Sequence, residues 1–207
     1  MISIYKERAT QFFKKESQLK QKLGWLSLIR LLSFLTVVLL VYAFAQTGSV
    51  WVIIAAITLF GVFLYLVRWY GKLQQQRQYF TALASYNEKE AHFLKTNIFV
   101  YDAGKEYEDP HHPYSYDLDF FSEGGVFSYL NRCSTSFGKE QLAQDLLHPD
   151  ISIITQRQEA VKELAPEIDF RQQLYAHGSL YQSKKKDLER LMQWIDGDVK
   201  LIGNKGV

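Results

Sequence analysis

Leu31–Ala45 reads LLSFLTVVLLVYAFA and Val50–Val67 reads VWVIIAAITLFGVFLYLV, and neither stretch holds a charged residue. Only Gln46, Thr47, Gly48 and Ser49 separate them. A helix that crosses a bilayer needs about 20 predominantly apolar residues. The second stretch reaches that length once Trp69 and Tyr70 are counted as an interfacial end. The first reaches it by extending back to Trp25, which takes in Arg30. Arg30 lies near one end, where its long stem can carry the guanidinium to the headgroups. The pair is therefore read as a two-helix transmembrane hairpin over 25–70. Two buried helices of a soluble core are the rival reading, and the run lengths argue against it. A cleaved signal peptide does not fit, because the apolar run starts deep in the chain and a second follows directly.

The flanking charges orient the hairpin. The arm 1–24 carries Lys6, Arg8, Lys14, Lys15, Lys20 and Lys22 against Glu7 and Glu16, and Arg68, Lys72 and Arg77 follow the second stretch with no acid before Glu88. The connecting loop is uncharged. The positive-inside rule then places both termini in the cytoplasm, with two spans in the cell (inner) membrane. Ile4, Phe12, Phe13 and Leu19 lie among the lysines of the arm. A basic amphipathic helix lying on anionic lipid accounts for them; so does a solvated helix leading into the membrane.

About 130 of the 207 residues remain beyond the hairpin, enough for a small core and few for a large enzyme. The net charge of +2 makes no case for nucleic acid. The single Cys133 excludes an intramolecular disulfide and a cysteine-rich metal site, and fits a reducing compartment. With no activating base nearby in sequence, it reads as a small packed residue.

The polar remainder is helical. The segment 71–112 reads as a helical linker: Gln74–Leu94 has no Gly or Pro and a near-helical apolar spacing, and Ile98–Tyr101 (IFVY) has the composition of a short strand. A loop rich in Asp, Glu, His and Pro spans Gly104–Tyr116. Short helices are expected at Val126–Asn131, at Phe137–Leu147 behind a Thr135 or Ser136 cap, and after an Asp150 or Ser152 cap through Ile153, Ile154, Val161 and Leu164. Pro149 and Pro166 close the last two. Ile168–Tyr175 and Asp187–Ile195 add two more.

One ordered set of residues is more specific than any of these elements. It runs DLDFFSEGGVFSYLNRCSTSFGKEQLAQDLLHP over Asp117–Pro149, then ITQRQEAVKEL over Ile154–Leu164, then Arg171 and Leu174. An acidic-apolar lead-in, a small-residue turn, a helix ending in Leu-Asn-Arg, a Thr-x-x-Gly turn, a Leu-x-x-Pro stop and an Ile-x-x-Arg-Gln-x-x-Val helix follow in order. Over 113–178 this resembles the core, or lever, domain of the MutS family of mismatch-repair ATPases. The residues that carry the resemblance are Asn131, Thr135, Gly138, Pro149, Arg157, Gln158 and Arg171. Their chemistry is packing and hydrogen bonding: Thr135 caps, Gly138 permits close approach, and Arg157 and Gln158 offer several donors to neighbouring helices. The paired spans together with His112, Pro113, Tyr114 and Asp117–Phe120 look like a membrane-anchored subgroup of that family.

The expected fold class is therefore mainly α: a transmembrane hairpin followed by an all-α MutS core-like domain over 113–207, incomplete at the C-terminus. The resemblance implies mismatched-DNA binding, ATP with Mg, and a homodimer for a complete protein. The family's nucleotide loop, Gly-x-x-x-x-Gly-Lys-Ser/Thr, is absent, and Gly203-Asn204-Lys205-Gly206 has neither its spacing nor its hydroxyl. The chain is thus expected to be a partial protein without ATPase activity or a cofactor of its own, with the ATPase downstream. The family reads mismatches through Phe-x-Glu in an N-terminal domain; Phe121-Ser122-Glu123 matches those letters but falls inside the core pattern, as a coincidence would. His111, His112, Asp109 and Glu108 contain competent metal ligands, yet adjacent loop histidines usually point apart, so a structural role is preferred. Lys184, Lys185 and Lys186 are candidate phosphate contacts, with a solvated helix start as the plainer reading. The rival function is a membrane-tethered helical module that recruits a cytoplasmic protein and has no DNA role.

Overall fold

The computed structural model of the chain describes residues 1–181, 190 and 192–195. Among these residues every regular element is a helix. They divide into two units, Met1–Thr96 and Asn97–Val207.

The first unit is two long helices, α1 (Ile2–Thr47) and α2 (Val50–Thr96). Gly48 ends α1 in the left-handed region at φ 64°, and its N–H bonds to Phe44 O at 2.8 Å. Glycine takes this conformation without a Cβ penalty, so the chain reverses within two residues. At about 1.5 Å per residue each helix is about 70 Å long, more than twice a bilayer's hydrocarbon core. The basic arm and the first apolar stretch are one unbroken helix. So are the second apolar stretch and the polar helix expected at Gln74–Leu94.

A line of buried and half-buried residues explains how such long helices pair. On α1 it runs through Tyr5, Ala9, Phe12, Glu16, Leu19, Leu23, Leu26, Arg30, Ser33, Val37 and Leu40. On α2 it runs through Ala56, Leu59, Phe63, Leu66, Tyr70, Leu73, Arg77, Phe80, Ala84, Asn87, Ala91 and Leu94. Steps of four and three alternate throughout, which is the 3.5-residue period of a coiled coil. The register is pinned at four levels. Phe12 stacks on Phe80 with ring centres 6.2 Å apart, Arg77 Nε donates to Glu16 Oε1 at 2.6 Å, the Arg30 guanidinium sits 4.8 Å over the Tyr70 ring, and Phe34 meets Phe63 at 5.7 Å. Phe12 and Leu19 of the arm thus lie on the seam with α2. Ile4 and Phe13, the other apolar residues of the arm, are exposed.

The apolar halves are not the core of this unit. Only 6 % of each helix's most apolar window is buried, and Leu31, Leu39, Trp51, Ile57 and Tyr65 are among the exposed side chains. Both helices are long and apolar enough to cross a membrane.

In the second unit, residues 97–104 form an irregular strap. Ile98–Tyr101 makes no strand, because a strand is stable only when a neighbour pairs its N–H and C=O groups, and no second strand exists among the described residues. A 3-10 turn (Lys105–Tyr107), a series of turns, α3 (Val126–Leu130) and α4 (Ser136–Leu147) follow. Next come a 3-10 turn (Ile151–Ile153), α5 (Ile154–Leu164) and α6 (Ile168–Leu180), which extends past the expected Tyr175. The helix expected at Asp187–Ile195 lies largely outside the described residues.

The core of this unit is small and aromatic. Phe121, Phe127 and Ala143 are buried, and Tyr107, Phe120, Leu142, Leu146 and Leu147 pack against them. Two glycines let the backbone close on it. Gly104 takes φ 72°, and a Cβ there would lie 2.7 Å from the Phe127 ring; a Cβ on Gly125 would collide with Asp119 O.

Candidate functional site

The motif residues gather at the two ends of α4. At its start, Asn131 ends α3 with its N–H on Phe127 O at 2.7 Å. Its buried side chain works in both directions: Nδ2 donates to Asp102 O at 3.1 Å and Oδ1 accepts the Cys133 N–H at 3.1 Å. A carboxylate could not donate and an aliphatic chain could do neither. Asp102 is held in turn, since its carboxylate accepts the Gly104 N–H at 3.1 Å and pairs with Lys139 Nζ at 2.5 Å. The Lys139 bond, then the Gly104 N–H, keep the Asp102 carboxyl below the usual carboxylate range. The Arg132 guanidinium stacks 4.1 Å over the Tyr101 ring, and Phe99 meets Tyr129 edge-on at 5.9 Å. The strap is thereby clamped across the exit of α3 and the first turn of α4.

Thr135 caps α4, its Oγ1 accepting the Gly138 N–H at 3.1 Å. A Cβ at Gly138 would stand 3.3 Å from Cys133 Cβ, so glycine keeps this turn close. Burial pushes the Cys133 thiol upward, which leaves it protonated and packed. A Cβ on Gly178 would collide with Ser134 Oγ, so α6 passes directly against the same turn. Burial likewise raises the Tyr175 phenol on α6.

At the other end, α4 leaves carbonyls without helical partners. Tyr114 Oη donates to Leu146 O at 3.1 Å and to Leu147 O at 2.9 Å. His112 Nδ1 accepts the Ser115 N–H at 3.2 Å, which leaves Nε2 to donate to Leu147 O at 3.1 Å. Both ring nitrogens are thus engaged in holding the lead-in loop to α4. Pro149 follows, exposed, and Asp150 caps the next turn by accepting the Ser152 N–H at 2.9 Å. Arg157 of α5 reaches back to Asp145 of α4 at 2.8 Å, and that bond lowers the Asp145 carboxyl. Gln158 makes no side-chain hydrogen bond among the described residues; it lines an open apolar groove on α5 with Ile154, Val161 and Lys162. Arg171 of α6 closes α5 by donating to Ala165 O at 2.9 Å. Lys184, Lys185 and Lys186 lie outside the described residues.

This is a junction that locks strap, turns and helices together through side chain-to-backbone bonds. Among the described residues no three His, Cys, Asp or Glu side chains gather as metal ligands. The ordered set of motifs is also found by comparison. Residues 113–201 match the family model of MutS domain III. No curated protein and no solved structure matches the chain. The match covers less than half of the chain and contains Asn131, Thr135, Gly138, Pro149, Arg157, Gln158 and Arg171. Within domain III, Phe121 is 2 % exposed, so Phe121-Ser122-Glu123 presents no aromatic ring to a base pair.

Asp102 and Gly178 belong to no motif, and the lead-in motif that holds Tyr114 does not indicate its partners. Tyr114 and Gly178 fall inside the matched region, but their partners are backbone carbonyls and a turn far away in sequence. Asp102 precedes the match, in a segment whose composition favours a strand.

Proposed function

We propose that this chain is the anchor and part of the lever of a membrane-bound MutS-like protein. The observation that carries the reading is continuity: two helices long and apolar enough to span a bilayer stand on the same chain as a MutS domain III region. In this reading the hairpin holds the protein in the cell (inner) membrane with both termini cytoplasmic. Domain III relays conformational change between DNA-embracing parts and an ATPase supplied by a C-terminal domain of the complete protein. ATP and Mg belong to that ATPase, and dimerisation follows the family.

The anchor is tested by fractionation and topology. The full chain should resist carbonate extraction. A reporter active only outside the cytoplasm should work at Gly48, and a cytoplasmic reporter should work at the C-terminus. Release by carbonate would end the reading. Purified 1–207 should turn over no ATP.

The buried Phe121 favours a second reading, a membrane-tethered module that recruits a cytoplasmic protein and does not meet DNA. Filter binding to homoduplex and mismatched DNA over a salt series separates the two. Salt-sensitive binding with mismatch preference supports the first, and no binding at low salt supports the second.

A further inference from the structure

Among the described residues, the cations nearest the apolar sleeve have no acidic partners. From Ser17 to Asn87 the chain holds no carboxylate, yet it carries Lys20, Lys22, Arg30, Arg68, Lys72 and Arg77. Arg77 is paired with Glu16 in the seam. Of the rest, Arg30, Arg68 and Lys72 fall at one level, because Arg30 lies over Tyr70. From there to the turn at Gly48 is about 26 Å of helix, close to the thickness of a hydrocarbon core. The three charges therefore stand at headgroup depth on one side of the bilayer. The other end of the sleeve, Gln46–Ser49, is uncharged.

Two further features make this level a binding collar. Arg30 is half-buried in the seam and oriented by the Tyr70 ring, and its guanidinium makes no hydrogen bond to protein among the described residues. A fixed guanidinium with free donors matches the oxygens of a phosphate. Trp25 and Trp69 flank it, 71 % and 46 % exposed, as amphipathic rings at a membrane interface are.

We propose that Arg30, Arg68 and Lys72 form a collar that selects anionic phospholipid headgroups, and that lipid contact stops there. The paired polar halves of α1 and α2 then stand about 37 Å clear of the collar as a stalk in water. The proposal rests on the membrane reading above.

The test uses the full chain, with W51F/W194F leaving Trp25 and Trp69 as reporters, in phosphatidylcholine bilayers holding a minor fraction of brominated lipid. Brominated phosphatidylglycerol should quench more than the same fraction of brominated phosphatidylcholine, with the headgroup preference about fivefold per engaged cation. The variant R30Q/R68Q/K72Q should quench equally with both lipids. Because Arg30 also sits in the seam, R68Q/K72Q, at two exposed positions, is the second variant and should lose most of the preference. K14Q/K15Q, in the stalk, should keep it. Equal quenching by both lipids in the native chain overturns the collar while leaving the anchor standing. A preference lost only in K14Q/K15Q overturns it in favour of an arm lying on the bilayer. No quenching by either lipid removes the anchor and the collar together.

Discussion

The hairpin and the second unit, which holds the region matching domain III, solve the same problem, satisfying a helical chain, by opposite means. In the hairpin one seven-residue period repeats over the length of two helices, and most of the pairing is the same apolar step taken again. In domain III almost nothing repeats. Its elements are short, its apolar cluster gathers around Phe121, Phe127 and Ala143, and its elements are tied by single bonds such as Asn131 to Asp102 and Tyr114 to Leu147. A repeated seam tolerates the loss of one member and is set by register; a small core with many unique ties depends on each tie. The Glu16–Arg77 pair and the buried Asn87 show the same contrast inside the hairpin. They are among the polar residues on the seam, and polar seam residues specify register at some cost in stability.

The comparison breaks most sharply at Phe127. Phe127→Ala removes a fully buried ring from the small core and should cost about 3–5 kcal/mol in domain III. Hydrogen exchange should show α3 and α4 opening while α1 and α2 keep their protection; simultaneous loss in both units would refute the independence of the two designs.

A double-mutant cycle at Glu16 and Arg77 sharpens it next. Side chains this far from full exposure, fixed at 2.6 Å, should couple by about 1–2 kcal/mol. A coupling within error of zero, measured by denaturation of the chain in detergent, would show that the apolar seam alone sets the register.

Thr135→Ala removes the cap of α4 and should cost about 1 kcal/mol. Faster exchange confined to the first turn of α4 is the expected signature, and Thr135→Ser should restore protection.

The smallest effect is electrostatic. Asp102 is held below its ordinary range in the folded state, so its contribution is present above the unfolded value and fades as pH falls through the folded one. Asp102→Asn should therefore lower the stability of the second unit slightly at neutral pH, where the contribution is present, and flatten the acid limb below about pH 4, where the native carboxylate loses it. An unchanged acid limb would mean that the Lys139 contact is not what holds the strap.

Much of this was legible without coordinates wherever the deciding interactions are local. The apolar stretches, the reversal at Gly48 and the Thr135 cap follow from residues within a few positions of each other, whereas Asp150 caps the 3-10 turn Ile151–Ile153 and not α5 itself. The strand expected at Ile98–Tyr101 failed for the complementary reason. Its composition suits a strand, but strands need a partner, and the segment is claimed instead by Arg132, Tyr129 and Asn131, about thirty residues on. The lysines of the arm 1–24 suit a lipid surface, whereas its seam residues, spaced by fours and threes, pack on a partner helix far along the chain. His112 has the chemistry of a metal ligand, but its two nitrogens hold the lead-in loop to the end of α4.

The residue order alone settles the apolar length, the one-sided charge around it, the helical class and the ordered domain III motif, because hydropathy, charge and capping act over a few residues. Which residues face one another was settled by packing. The pairing of Glu16 with Arg77, the strap under Asn131 and the passage of α6 at Gly178 join positions separated by tens of residues, where shape and hydrogen-bond geometry choose among partners that composition leaves equivalent.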